Sequence, residues 1–502
     1  MSTNPTGDRT DREPVLDLHQ IQGNILVPFG TPFQSFLYLA LDRAHASAWV
    51  ARTLPEITST RSLIDAHRAG GPRAAVGLSL SASGLRALGA RPDALLDVPF
   101  QDGLAARSTL LGDPHDPDDP GTARHWPTGG PDTTADALLV VGADTAEAVG
   151  ALTGRLLSGP GAPRLLHHDR CATRPGPDGD REHFGYRDPV SQPAVRGVAA
   201  DTGEPLCPVS DPARPDEALP GQMRLWPGEF VFGHPGQDPV AFAPPGPVAS
   251  GGPGWTDNGS LLVVRRYRQD VAGFLKFAAR TSAELERRGF PGWSPDAVSA
   301  RLFGRWRDGT PLSVSPKGPD PSVSACPSAV NDFGFTPLRG PVDDTAGHRV
   351  PVGAHIRKAY PRDHATDLET LAGIETHRLM RRGVPYTGAD GETGMAFACY
   401  QTSIERQFEF VVRSWLNNPY QQHEGDNHDP VVGRPHRPVG DAVPREFVFR
   451  VPSDDPEGTA VRIPMPRHFT VPRGGGYFLT PSLSALETLS APSPHRPLGG
   501  PL

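Results

Sequence analysis

The order of local patterns over the first third of the chain narrows the fold more than any other feature. A strand-like run at 35–42, "SFLYLALD", precedes a helical one at 45–57, "HASAWVARTLPEI". "AAVGLSLS" (74–81) reads as a strand leading into a short helix over "ASGLRALG", and "ADALLVVGAD" (135–144) as a buried strand. "TAEAVGALTGRLLS" (145–158) is an amphipathic helix and "PRLLHHD" (163–169) a last strand. The resulting β-α-β-β-α-β order is that of a ferredoxin-like split unit with an antiparallel sheet.

Strand followed by helix recurs later. "GSLLVVRRYRQD" (259–270) leads into a helix with Val271, Phe274, Leu275, Ala278 and Leu285 on one face, stopped by Gly289 and Pro291. "MAFACYQ" (395–401) leads into another, where Thr402 and Glu405 have capping-box spacing and Ile404, Phe408, Val411, Val412 and Trp415 form a core-facing stripe. "EFVFRVP" and "GGGYFLTPSLSALETL" supply late strands and a terminal helix, with the glycines as a bulge or bend. The expected class is α+β, with a second ferredoxin-like domain of similar design. The boundaries read as a disordered start (1–15), an N-terminal domain (16–200), a Pro/Gly-rich connection (201–257), a C-terminal domain (258–488) and a disordered tail (489–502).

Composition excludes several functions. The net charge is −8 and no block of lysine or arginine stands out, which argues against binding a nucleic-acid backbone. No apolar run nears the ~20 residues that span a bilayer. The opening "MSTNPTGDRTDREP" is polar and the four cysteines show no paired spacing, so a reduced, cytoplasmic chain is expected. Nothing specifies an oligomeric state. "HHDRC" (167–171) and "HEGDNHD" (423–429) hold metal-ligand residue types but lack ligand spacing, and they read as a strand end and a loop. There is no G-x-S-x-G elbow for a serine hydrolase.

Three stretches carry more together than apart: "FGYRDPVSQP" (184–193), "GAHIRKAYPRD" (353–363) and "RLMRRGVPYT" (378–387). With "LHQIQGNIL", "GEFVFGHPG", "NGSLLVVRRYRQDVAGFLKF", "LFGRWRDGTPL", "NDFGF", "SIERQFEFVVRSW" and "PRGGGYFLTPS", in that family's order, the chain resembles the dye-decolorising peroxidases, in their longer bacterial and fungal branch. The resemblance implies two ferredoxin-like domains, with one haem b held in the C-terminal domain near the interface between them. It implies a peroxidase that reduces hydrogen peroxide and oxidises phenolic, dye-like or other organic reductants.

Carried over residue by residue, His355 matches the proximal ligand of the haem iron, and Glu409 is a candidate acceptor for its other ring N–H. Asp188 matches the distal aspartate, which moves a proton between the two peroxide oxygens. Arg381 matches the distal arginine that stabilises developing negative charge, with Arg382 the other assignment. Met395 and Phe397, on one face of a strand, match apolar residues of the distal pocket, and Arg357 suits a haem propionate. Two positions depart from the pattern. Pro189 stands where the family has glycine, and proline fixes φ and restricts Asp188 before it. Tyr360 stands where asparagine is common, and could alter a hydrogen bond or relay an electron. One alternative is therefore a haem-binding protein or specialised oxidase whose peroxidase chemistry Pro189 impairs. A remote one is a non-haem metal-dependent hydrolase built on 423–429.

Overall fold

The computed structural model describes residues 14–198, 223–421, 428–434, 446–451 and 459–491, apart from positions 72, 175, 177, 178, 243, 328, 341, 368, 389, 466 and 467. The N-terminal unit follows the expected order: β1 (Phe33–Ala40), α1 (Ala46–Thr53), β2 (Ala74–Leu80), β3 (Ala137–Ala143), α2 (Ala146–Leu156) and β4 (Arg164–Ala172). Its strands lie antiparallel in the order β4-β1-β3-β2. Leu37 and Leu39 of β1 pack with Trp49, Val50 and Leu152 of the helices, while Phe36 and Tyr38 enter a second core on the other face. Both faces are covered, which is why these strands read as continuous apolar runs.

The second half repeats the plan. Here β5 (Ser260–Gln269) is followed by α3 (Val271–Arg287), a long excursion with α4 (Pro295–Phe303) and α5 (His355–Ala359), then β6 (Val384–Thr387), β7 (Thr393–Gln401) and β8 (Thr470–Thr480). The order β8-β5-β7-β6 places fourth, first, third and second strands side by side, as in the N-terminal unit. The short strand Met380–Arg381 extends β6 along the same edge of β7.

The two sheets then join at both edges, through Tyr386 opposite Cys171 and Leu479 opposite Leu80. Eight antiparallel strands close into one barrel, with no free edge left to template aggregation. Two ferredoxin-like units are present, and their sheets form a single surface.

Some local expectations shift. In α3 the buried face carries Phe277, while Leu275 is exposed. The helix after β7 (Ile404–Glu409 continuing through Val411–Leu416) has the wider π pitch and is capped by Ser403, whose side chain accepts from Arg406 N. Thr402 instead donates to the Gly228 carbonyl. Of the connection, residues 223–257 are described apart from 243: Met223 to Phe232 are buried and belong to the packed core, whereas Val240, Phe242 and Val248 are exposed. The register shift in β8 between Pro472 and Gly475 is the expected glycine bulge.

Candidate active site

His355 opens α5 directly after a buried turn through Val352 and Ala354. Its Nδ1 lies 2.5 Å from Asp429 Oδ2. The other carboxylate oxygen, Oδ1, accepts from Val431 N and Val432 N, both at 2.7 Å. Burial opposes charge on both partners, but their mutual attraction outweighs it: the Asp429 pKa is lowered and that of His355 raised. With Nδ1 committed, Nε2 is the free nitrogen. The His355 side chain keeps 29% of its accessible surface although protein surrounds it as it would a core residue, so the ring opens onto an interior space.

Glu409 does not serve His355. Its carboxylate is saturated by Arg107, at 2.6 and 3.0 Å, and by the Tyr477 hydroxyl at 3.0 Å. Asp429 was legible only as the last residue of the 423–429 cluster. Residues 423–427 lie outside the described ones.

Asp188 reaches Arg381 Nη1 at 3.3 Å. Arg381 Nη2 donates to the Ser191 carbonyl at 2.7 Å, and Gln192 bonds both the N–H and the carbonyl of Arg381. Two chain segments far apart in sequence are thereby locked together. Arg382 turns the other way, donating to the Asn24 and Ile25 carbonyls. Arg187 also turns away, pairing with Asp180. The Asp188–Pro189 peptide is cis, and the Asp188 carboxylate faces Arg381. Both partners line a cavity of about 410 Å³ whose walls include Leu26, Phe29, Val195 and Met395.

Family models match both halves of the chain: "DyP dimeric alpha+beta barrel domain" over residues 20–162 and "Dyp-type peroxidase, C-terminal" over 302–428. Peroxidase 2 of Mycetinis scorodonius is 30% identical over 95% of this chain and 88% of its own length. A dye-decolorizing peroxidase of Mycena epipterygia is 30% identical over 97% and 90%. The chain belongs to the dye-decolorising peroxidase family. An ancestral D-type dye decolorizing peroxidase of solved structure superposes with a TM-score of 0.78, at 28% identity over 95% of this chain and all of that one.

As a member of this haem-dependent family the chain is a peroxidase, and its residues can be tested against the cofactor. Arg357 is not at the cavity. It is fully buried on α5, its guanidinium reaching across to donate to the carbonyls of Asp344, Thr345 and Val350 and to His364 Nδ1, with the Asp344 carboxylate 3.5 Å away and the Phe335 ring beneath. Arg305, which the sequence reading missed, fits better. It is buried, and its acceptors are neutral: Gly309 O, Val330 O and Asn331 Oδ1. Burial first, and then the nearby cations Arg362, Arg381 and Arg187, push its pKa well below the usual value. No carboxylate pairs with it among the described residues. A buried cation in that condition calls for an anion, and haem propionates are of the right charge. Nothing in "LFGRWRDG" marks this arginine from its neighbours; only the fold removes its counter-ions.

Met395 and Phe397 share one face of β7 and are half-buried, but part company there. Met395 lines the cavity, whereas Phe397 packs towards Phe408, with ring centroids 6.3 Å apart. Tyr360 donates to Glu375 at 2.6 Å beneath the Arg378 guanidinium. Among the described residues no group of three or more His, Cys, Asp or Glu side chains forms a metal site. In "HHDRC", Asp169 is taken up by His167 and Arg266. The hydrolase reading is overturned by the family. No helix among the described residues is long and apolar enough to cross a membrane.

Proposed function

We propose that this peroxidase holds haem b through His355 Nε2 and reduces hydrogen peroxide at Asp188 and Arg381, at the expense of phenolic or dye-like reductants. One observation carries the reading: the His355–Asp429 pair and the Asp188–Arg381 pair lie close enough together for the charges of Asp188 and Arg381 to act on the His355 imidazole. Bound there, haem would supply the redox-active iron that links peroxide reduction to oxidation of the organic substrate.

The residues around it divide the remaining work. Asp429 takes a full hydrogen bond from Nδ1, fixing the tautomer that leaves Nε2 as donor and making that nitrogen more basic. Arg305 offers a buried cation to a propionate. The Asp188 carboxylate accepts a proton from one peroxide oxygen and returns it to the other, so that water leaves; such transfers contribute typically ~10²–10⁴-fold. Arg381 holds the Asp188 carboxylate at 3.3 Å and stabilises negative charge on the departing oxygen. The apolar wall of Met395, Leu26 and Phe29 limits water beside that pair.

The reductant class is supported by relatives named for dye decolorisation and by a solved relative in complex with 2,6-dimethoxyphenol. The three described cysteines, Cys171, Cys326 and Cys399, are free, which supports a reducing cytoplasmic setting. Against the reading in which Pro189 disables the site stands the 3.3 Å contact of Asp188 with Arg381. The test is stopped-flow absorption of haem-loaded protein mixed with peroxide. Asp188→Asn should slow the reaction by about 10²–10⁴-fold; an unchanged rate would leave a haem-binding protein without distal acid–base chemistry.

A further inference from the structure

Two thioethers, Met380 and Met395, line the cavity that holds Asp188 and Arg381, and of these Met395 is the more exposed to peroxide. Its thioether is half-buried on the cavity wall that also carries Asp188 and Arg381. A Cβ built on Gly383, two residues beyond Arg381, would lie 3.4 Å from Met395 Sδ, so the glycine leaves the sulfur unscreened on that side. The other described methionines are better protected. Met223 is 7% exposed, with its sulfur accepting from Arg339 at 3.7 Å. Met465 is 3% exposed within an apolar core, and Met380 touches the cavity but is 2% exposed.

We infer that Met395 is a site of self-oxidation, converted to the sulfoxide by the enzyme's own peroxide. The inference rests on the reading of the Asp188–Arg381 cavity as the peroxide site. In the step the sulfur lone pair attacks one peroxide oxygen, the O–O bond breaks and an S–O bond forms. The second oxygen leaves as water after a proton shift, so one thioether and one peroxide give one sulfoxide and one water. Sulfur is oxidised by two electrons and peroxide reduced by two. The Asp188–Arg381 pair lines the same cavity and is chemically suited to moving that proton and steadying the leaving oxygen.

The consequence is a brake on turnover. A sulfoxide is polar and carries a strong acceptor oxygen where the wall was apolar. Facing the same cavity, that oxygen competes with Asp188 for the Arg381 guanidinium. Activity should therefore decline in step with modification of this single residue.

Peptide mapping by mass spectrometry after successive peroxide additions to the haem-loaded protein tests this directly. The peptide holding Met395 should gain one oxygen, about 16 Da, at least about tenfold faster than those holding Met223 or Met465. Met395→Leu should lack the gain and keep a larger share of its own starting rate over repeated additions. Peroxide consumption with Met395 unmodified, or modified no faster than Met223 and Met465, overturns the inference and leaves the peroxidase reading standing. Loaded protein that consumes no peroxide removes the peroxidase reading, and the inference with it. The wild-type map decides the matter even if the leucine variant folds poorly.

Discussion

Replacing Asp429 by asparagine changes no volume, yet it should cost the protein most of its hold on haem. In the native site Oδ1 accepts from Val431 N and Val432 N, both at 2.7 Å, and Oδ2 accepts from His355 Nδ1 at 2.5 Å. An amide has only one oxygen. With Gly433 N also donating to Oδ1 at 3.3 Å, an oxygen turned towards the backbone keeps three hydrogen bonds, while one turned towards His355 keeps one and sets an NH₂ group against three backbone N–H donors. Each buried donor left unsatisfied costs about 1–3 kcal/mol, so the oxygen stays with the backbone and the NH₂ faces Nδ1. The ring must then carry its proton on Nε2, the nitrogen needed for iron. Restoring the useful tautomer costs about 2–3 kcal/mol, or roughly 30–150-fold in affinity. The assay is competitive transfer of haem to an acceptor apoprotein, run beside thermal unfolding of the haem-free protein. Asp429→Asn should unfold near the native temperature but release haem far more readily. Native haem affinity in this variant would refute both the tautomer reasoning and the assignment of His355.

Lys358 is buried and donates to the Asn418 carbonyl at 2.6 Å; burial lowers its pKa from 10.5 to about 7. The folded state therefore binds fewer protons than the unfolded one between those values, and stability should rise with pH across that window by at most about 1.4 kcal/mol per unit. Lys358→Met should flatten that rise in unfolding temperature measured from about pH 7 to 10, and parallel profiles would show that the lysine is not buried uncharged. Arg305→Leu should weaken haem retention by at least about tenfold, or 1.4 kcal/mol, in the same transfer assay. Arg357→Leu should chiefly lower the unfolding temperature, since its guanidinium braces the 344–350 loop; the reverse pattern would exchange their roles. Gly475 has φ +129°, and a Cβ there would sit 1.9 Å from the Val264 carbonyl. Gly475→Ala should thus yield little folded protein, and a normal yield would mean that the β8 bulge tolerates rearrangement.

The pairs at the site differ in how far sequence could reach them. His355, Asp188 and Arg381 stand in ordered motifs, so resemblance pointed to them without any geometry. Pro189 raised a doubt that only position could address, because a proline restricts the backbone without saying where the preceding carboxylate points. The partner of His355 was misplaced: Glu409 lay on a strong helix, but that helix turns its carboxylate to Arg107 and Tyr477. Asp429 comes from a loop 74 residues beyond His355, a separation at which no local rule applies. Arg305 was passed over in favour of Arg357 for a similar reason. A guanidinium looks the same in sequence whether or not a carboxylate lies within reach of it in the fold.

Local patterning determined each ferredoxin-like unit, because strand and helix periodicities and the capping and bulge residues act over a few positions. Only the tertiary structure decided that the two sheets join edge to edge as one barrel. The joining contacts, Tyr386 opposite Cys171 and Leu479 opposite Leu80, are ordinary strand residues whose pairing depends on hydrogen-bonding edges and not on side-chain type. The same closure brings Asp188, from the segment after the first unit, against Arg381 of the second. The fold also leaves Arg305 buried with no carboxylate paired to it among the described residues. Chemistry was written locally, but charge balance and proximity are properties of the folded whole.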